Sequence, residues 1–150
     1  RIDYNLAMNE KTPEYPYTRE DIIEVLKSRD IIPTSQRVEV AGILLSQPQH
    51  LSADQLLQRA MENGSNISKA TIYNTLNLFT RKGLTREVIV DSSKVFFDSN
   101  TSGHNHFYNE DTGELIDFDM ANMNITDMPV LPENTETTGV SVVIRIRNKA

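Results

Sequence analysis

The sequence predicts an α+β protein, with four helices and a hairpin ahead of a smaller, thin-sheeted second domain. Three observations lead there. Four segments with helical spacing and separate start signals follow one another between residues 18 and 83. The hydrophobic period then shortens to two in "LTREVIV" and "KVFFD", two strands joined by the turn "DSS". The last third holds only short strand candidates between turn-rich stretches. Helices closed by a two-stranded hairpin describe a winged helix. Two or three strands with a short helix are marginal alone and gain by pairing with a copy, so the second part is expected to be a small α/β dimerisation domain. The expected boundaries are 1–17 for an irregular arm, 18–98 for the winged helix and 99–150 for the dimerisation domain.

Each element has a local cause. "TREDIIEVLKSR" begins at Thr18, an N-cap with Asp21 three residues on, and Ile22, Ile23 and Leu26 form its apolar face. After the break at Pro33 a second helix starts near Ser35, with Val38, Ala41 and Leu45 at helical spacing and Pro48 as its expected stop. Ser52 and Gln55 make a capping box for a third helix that Gly64 ends. Ser68 caps a fourth, from Ser68 to Lys82, whose buried stripe is Ile72, Leu76 and Phe79 and whose stop is Gly83. Further on, "HNHFYN" and "ELIDFD" are strand candidates around the turn "EDTG". In "VSVVIRIR" the alternation puts Val140, Val142, Ile144 and Ile146 on one face.

Composition narrows the function classes. With 38% hydrophobic residues the 150-residue chain can bury a core. No apolar run approaches the roughly 20 residues needed to span a bilayer, so no membrane partner is expected. Cysteine is absent, which excludes disulfides, thiolate metal sites and cysteine catalysis. That absence and the lack of a signal-peptide pattern fit a cytoplasmic location. The net charge of −6 belongs mostly to residues 99–150, which carry three bases and eight acids, whereas residues 18–98 carry ten of each. Between Asn63 and Arg86 stand Lys69, Arg81, Lys82 and Arg86 and no acid. A basic stripe on the helix before the hairpin is where a winged helix would meet double-stranded DNA, with that helix in the major groove.

"SGHNHFYNEDTGELIDF" raises a second possibility. On a strand His104 and His106 project to the same side, so their imidazoles can share an ion. Asp98 ends the preceding strand and Asp117 lies in the next, and both could join them. His50 precedes the third helix, and spacing alone does not bring it there. Nitrogen and carboxylate donors without sulfur suit Mn(II), Fe(II) or Zn(II).

The segments "TSQRVEVAGILL", "HLSADQLLQRA", "ISKATIYNTLNLFTRKGL", "KVFFD" and "HNHFYNEDTGELIDF" resemble the ferric uptake regulator (Fur) family, over about residues 20 to 147. "ATIYNTLNLFT", "FDSNTSGHNHFY" and "VSVVIRIRNK" are most similar to its iron response regulator (Irr) branch. The resemblance implies an N-terminal winged helix, a C-terminal dimerisation domain and a regulatory metal at the hinge between them. Its hinge ligands fall on His50, Asp98, His104, His106 and Asp117, the ligand set of the peroxide-sensing branch. Its recognition helix falls on Ser68 to Lys82, with Tyr73 at the bases and Arg37 near the phosphates. Many members carry arginine where this chain has Asn74. The expected DNA-contact residues are therefore Arg37, Ser68, Lys69, Thr71, Tyr73, Asn74 and Arg81. The family's cysteine-bound structural zinc has no counterpart, because its first pair falls on Asn109 and Thr112. Gly103 and Asn105 likewise replace ligands of a second sensory site.

The resulting expectation is a homodimeric, metal-dependent DNA-binding transcriptional regulator of iron or haem homeostasis, with haem as a further ligand implied by the Irr resemblance. A peroxide-sensing repressor of the same family is the alternative. A non-haem metalloenzyme is the rival from another class. Five protein ligands leave such an enzyme little room for substrate, whereas catalytic metals keep a position open.

Overall fold

In a computed structural model of the chain, residues 17–99, 104–119 and 123–150 are described. They fall into two compact units, divided between Ser102 and Gly103. The expected arm lies outside the described residues except for Tyr17, which packs against the first core.

The first unit runs α1 (Arg19–Ser28), α2 (Ser35–Leu44), β1 (His50–Leu51), α3 (Ala53–Glu62), α4 (Lys69–Arg81), β2 (Arg86–Asp91) and β3 (Lys94–Asp98). The start signals read from sequence operate as hydrogen bonds. Asp21 N donates to Thr18 Oγ1 at 3.2 Å, and Thr18 N donates to the Asp21 carboxylate at 2.8 Å. Ser52 and Gln55 repeat the box on α3, and Ser68 Oγ accepts from Thr71 N at 3.1 Å on α4. Gly64 and Gly83 end their helices at φ of +79° and +73°, where a Cβ would be strained. The core joins Val25 and Leu26 of α1, Val38, Ala41 and Leu44 of α2, Leu56 and Ala60 of α3, and Ile72, Leu76 and Phe79 of α4. Each large side chain fully buried there contributes about 1.5–3 kcal/mol relative to exposure.

Two expectations about this unit need correction. Pro48 does not end α2. The helix stops at Leu44, and the Gln49 carboxamide donates to the freed carbonyls of Ile43 (2.8 Å) and Leu44 (3.1 Å). The expected two-stranded wing supplies two strands of a three-stranded antiparallel sheet, order β1-β3-β2. Two-residue β1 has no period to read, and its pairing partner lies nearly fifty residues away.

The second unit is a sheet of β4 (His104–Asn109), β5 (Leu115–Asp119) and β6 (Val143–Ile146), in the order β5-β4-β6. β5 runs antiparallel and β6 parallel to the central β4. The turn between β4 and β5 is held by Asn109. Its Oδ1 accepts from Asp111 N and Thr112 N, and its Nδ2 donates to Asn148 Oδ1 at 2.9 Å. Asn148 N in turn donates to Asp111 Oδ2 at 2.8 Å, so the turn and the residues after β6 clasp each other. The last strand is shorter than its alternation suggests. It begins at Val143, and Val140 lies before it, 45% exposed. No helix occurs among the described residues of this unit, where a short one was expected.

Candidate metal centre and nucleic-acid interface

In the first unit, β1 and β3 set His50 directly opposite Asp98. Asp98 is almost fully buried, at the end of the central strand, and Arg86 faces it from β2. The rung is fastened by the residue before His50. Gln49 O accepts from both Ser99 N and Ser99 Oγ, and Gln49 Oε1 accepts from Arg59 of α3 at 2.6 Å. Together with the two α2 carbonyls, these contacts fix the backbone that carries His50. Gln49 and Ser99 were not singled out by sequence reading. A glutamine after a proline gives no sign that it ties three elements together.

In the second unit, the ladder sets His106 opposite Asp117 and His104 opposite Asp119. His106 is buried at 1% exposure, and its Nε2 lies 3.2 Å from Asp117 Oδ1, whose side chain is half exposed. A buried imidazole needs polar partners, and Asp117 supplies one. The separation also suits joint ligation. Two donors each about 2.1 Å from one ion, at roughly tetrahedral or right angles, stand about 3.0–3.4 Å apart. The donor set therefore fits a divalent ion of the Mn, Fe, Zn group. Each unit thus places one predicted histidine opposite one predicted aspartate.

The predicted DNA-contact residues lie in the first unit. A polar cleft of about 530 Å³ between the start of α2 and α4 brings together Arg37, Thr71, Asn74 and Arg81. Arg37 Nη1 donates to Ile32 O at 2.9 Å, which holds the guanidinium at the cleft mouth. Tyr73 is 41% exposed on α4 and lies outside the cleft lining. Lys69 Nζ makes a 2.9 Å ion pair with Asp54 of α3 and sits 5.9 Å from the centre of the Tyr73 ring. The Asp54 hydrogen bond, with its charge, raises the Lys69 pKa above the ordinary lysine value. Ser68 and Thr71 bond to each other at the helix cap, so both have a structural task as well.

A winged helix with a basic fourth helix, joined to a small sheet with a His–Asp pair, defines a class of metal-responsive DNA-binding regulators. Residues 28–144 match the profile of the ferric uptake regulator family. The peroxide-responsive repressor PerR of Staphylococcus aureus is 33% identical over 129 residues, covering 81% of this chain and 87% of PerR. The Vibrio cholerae ferric uptake regulator superposes with a TM-score of 0.66 at 25% identity, over 84% of this chain and 98% of its own. The Pseudomonas aeruginosa ferric uptake regulator, solved with manganese, gives 0.63 at 26% identity, over 83% and 96%. This chain belongs to the ferric uptake regulator family. It is a metal-dependent transcriptional regulator and not an enzyme, which removes the metalloenzyme rival. Regulators of this family bind DNA and are dimeric. No helix among the described residues is long and apolar enough to cross a membrane.

Proposed function

We propose that this chain is a homodimeric iron-responsive DNA-binding regulator whose regulatory ion is held by His50, Asp98, His104, His106 and Asp117. The observation that carries the reading is the buried His106 imidazole 3.2 Å from Asp117, a spacing that two ligands of one ion share. A second His–Asp rung in the first unit, His50 opposite Asp98, supports it. Ligands drawn from both the winged helix, residues 18–98, and the dimerisation domain, residues 99–150, would tie ion occupancy to the relative orientation of the two. An ion shifts that orientation only by its differential affinity for the alternatives. Two DNA half-sites demand a fixed spacing of the two recognition helices, so orientation decides operator affinity. When bound, the ion supplies charge and a fixed coordination geometry. The chain's own side chains hold it and read the DNA.

On the DNA side, Tyr73 and Asn74 of α4 would meet base edges, with Ser68 and Thr71 at the start of the helix. Arg37, Lys69 and Arg81 would meet phosphates. Tyr73→Ala should lower discrimination between operator and random duplex, because base contacts specify. Lys69→Ala or Arg81→Ala should weaken both about equally and flatten the salt dependence. Equal losses on both duplexes for all three variants would remove the assignment of Tyr73 to the bases.

Two signals suit the site. The sequence likeness to the Irr branch favours iron or haem. The 33% identity to PerR and the set of three histidines and two aspartates favour peroxide. Peroxide treatment of Fe(II)-loaded protein separates them. One added oxygen on His50, His104 or His106, with loss of DNA binding, identifies a peroxide sensor. Unmodified histidines, with DNA binding that follows iron or added haem, identify the iron response.

A further inference from the structure

The cleft between the start of α2 and α4 gathers more donors than the expected DNA contacts account for. Gln36 and Arg37 line it from α2, and Asn74, Asn77 and Arg81 from α4. No carboxylate lines it, although the chain carries 21 acidic residues against 15 basic ones. Asn74, Asn77 and Arg81 are spaced by three and four residues, so they share one face of the helix. Gln36, Asn74, Asn77 and Arg81 are all exposed. No hydrogen bond or ion pair ties their side chains to another described residue. Lys69 differs, because Asp54 already pairs with it. The walls are set in advance. Val38 and Ala41 of α2 share a core with Leu76 and Phe79 of α4, and Arg37 is held by Ile32 O and Thr34 Oγ1. Carboxamides and guanidinium groups all carry N–H donors. Donors gathered in a concavity without a carboxylate suit an oxyanion. Tyr73 is exposed beside Asn74 and just outside the lining, so a duplex read by Tyr73 runs its backbone past the cleft.

We propose that Gln36 and Asn77 are further DNA-contact residues, and that the cleft takes one backbone phosphate of the duplex between α2 and α4. The proposal rests on the DNA-binding reading above. It gives that phosphate partners on two helices. Arg37 and Arg81 supply the charge, and Gln36 and Asn77 supply neutral donors that fix its position. Such contacts set the register and orientation of a protein on the duplex. A phosphate seated there limits how far α4 enters the groove, and so which bases Tyr73 and Asn74 reach.

The test is duplex binding by the full-length protein in Mn(II), read by fluorescence anisotropy. The probes are a duplex selected by wild type from a random pool, an unselected duplex, and a set of selected duplexes. Each member of the set carries one uncharged methylphosphonate in place of a phosphate. The proteins are wild type, Gln36→Ala, Asn77→Ala and the double variant, with circular dichroism to check folding. Each single variant should bind both unmodified duplexes about three- to tenfold more weakly. The salt dependence should stay unchanged, because a neutral side chain releases no counterion. One methylphosphonate position per half-site should cost wild type about tenfold and the double variant about twofold or less. Wild-type affinity in the double variant, or an undiminished penalty at every position, overturns the proposal while the DNA-binding reading stands. A loss confined to the selected duplex also overturns it, because Gln36 and Asn77 would then read bases. No preference of wild type for any duplex overturns both.

Discussion

Lys69 shows how one side chain can serve two partners. Its cation is satisfied by Asp54 at 2.9 Å in the free protein, yet both side chains are more than half exposed. Such a bridge opens easily in water, and a DNA phosphate would compete for the same ammonium. Asp54→Asn should therefore tighten duplex binding about two- to fivefold without changing sequence preference, as read by fluorescence anisotropy. Unchanged affinity would mean that Lys69 does not reach DNA. The wing turn carries a separate electrostatic device. Asp91 accepts from Ser93 Oγ and Ser93 N, both at 2.8 Å, and these bonds lower its pKa below the ordinary 3.8. A lowered folded pKa means that the stabilisation is complete above the unfolded value and fades as pH falls through the folded one. An NMR carboxyl titration should place Asp91 below 3.8, and Ser93→Ala should move it back up. Asn109 is a third case. Its three side-chain hydrogen bonds stand where the resemblance puts a zinc cysteine, and Asn109→Ala should cost about 1–3 kcal/mol in denaturant unfolding.

At the scale of elements, the helices were legible because each carries its own cause. Thr18, Ser52 and Ser68 cap where the sequence placed them, and Ile72, Leu76 and Phe79 are fully buried as the period requires. What could not be read depends on distant partners. β1 exists only because β3 pairs with it, and α2 ends where Gln49 reaches back rather than where Pro48 stands. β6 is shorter than its pattern because Val140 lies before the paired register, which opens at Val143 with Val142 O accepting from His106 N and Val142 N donating to Asn105 Oδ1. The site was legible in the same uneven way. Strand periodicity offered Asp117 as a residue that could join His106, and the resemblance grouped His50 with Asp98, whereas the cross-strand registers His106–Asp117 and His50–Asp98 needed the fold. Gln49 makes that partnership testable without touching a ligand. Gln49→Ala removes the bonds to Ile43 O, Leu44 O and Arg59 and frees the segment carrying His50. Metal affinity should fall about tenfold while circular dichroism stays near normal. Unaltered metal affinity would separate His50 from the site.

For the whole molecule, the second unit supplies a surface suited to self-association. Ile116, Phe107 and Ile144 are register partners across all three strands, and the two isoleucines are 38% and 37% exposed. A row of apolar residues across a thin sheet is a face that a second copy can cover. Ile144→Asp should shift the sedimentation of micromolar protein toward monomer while the first unit keeps its helical signal. Dimers that persist would place the interface elsewhere.

The central claim is that an ion at the histidine–aspartate site sets DNA affinity. The most direct measurement is the affinity of wild type and His106→Ala for one selected duplex, each metal-free and loaded with Mn(II), at fixed salt. Wild type should change by about tenfold or more between the two states, and His106→Ala should give the same affinity in both. The same metal dependence in His106→Ala, or Mn(II) binding by wild type with no change in affinity, would contradict the claim.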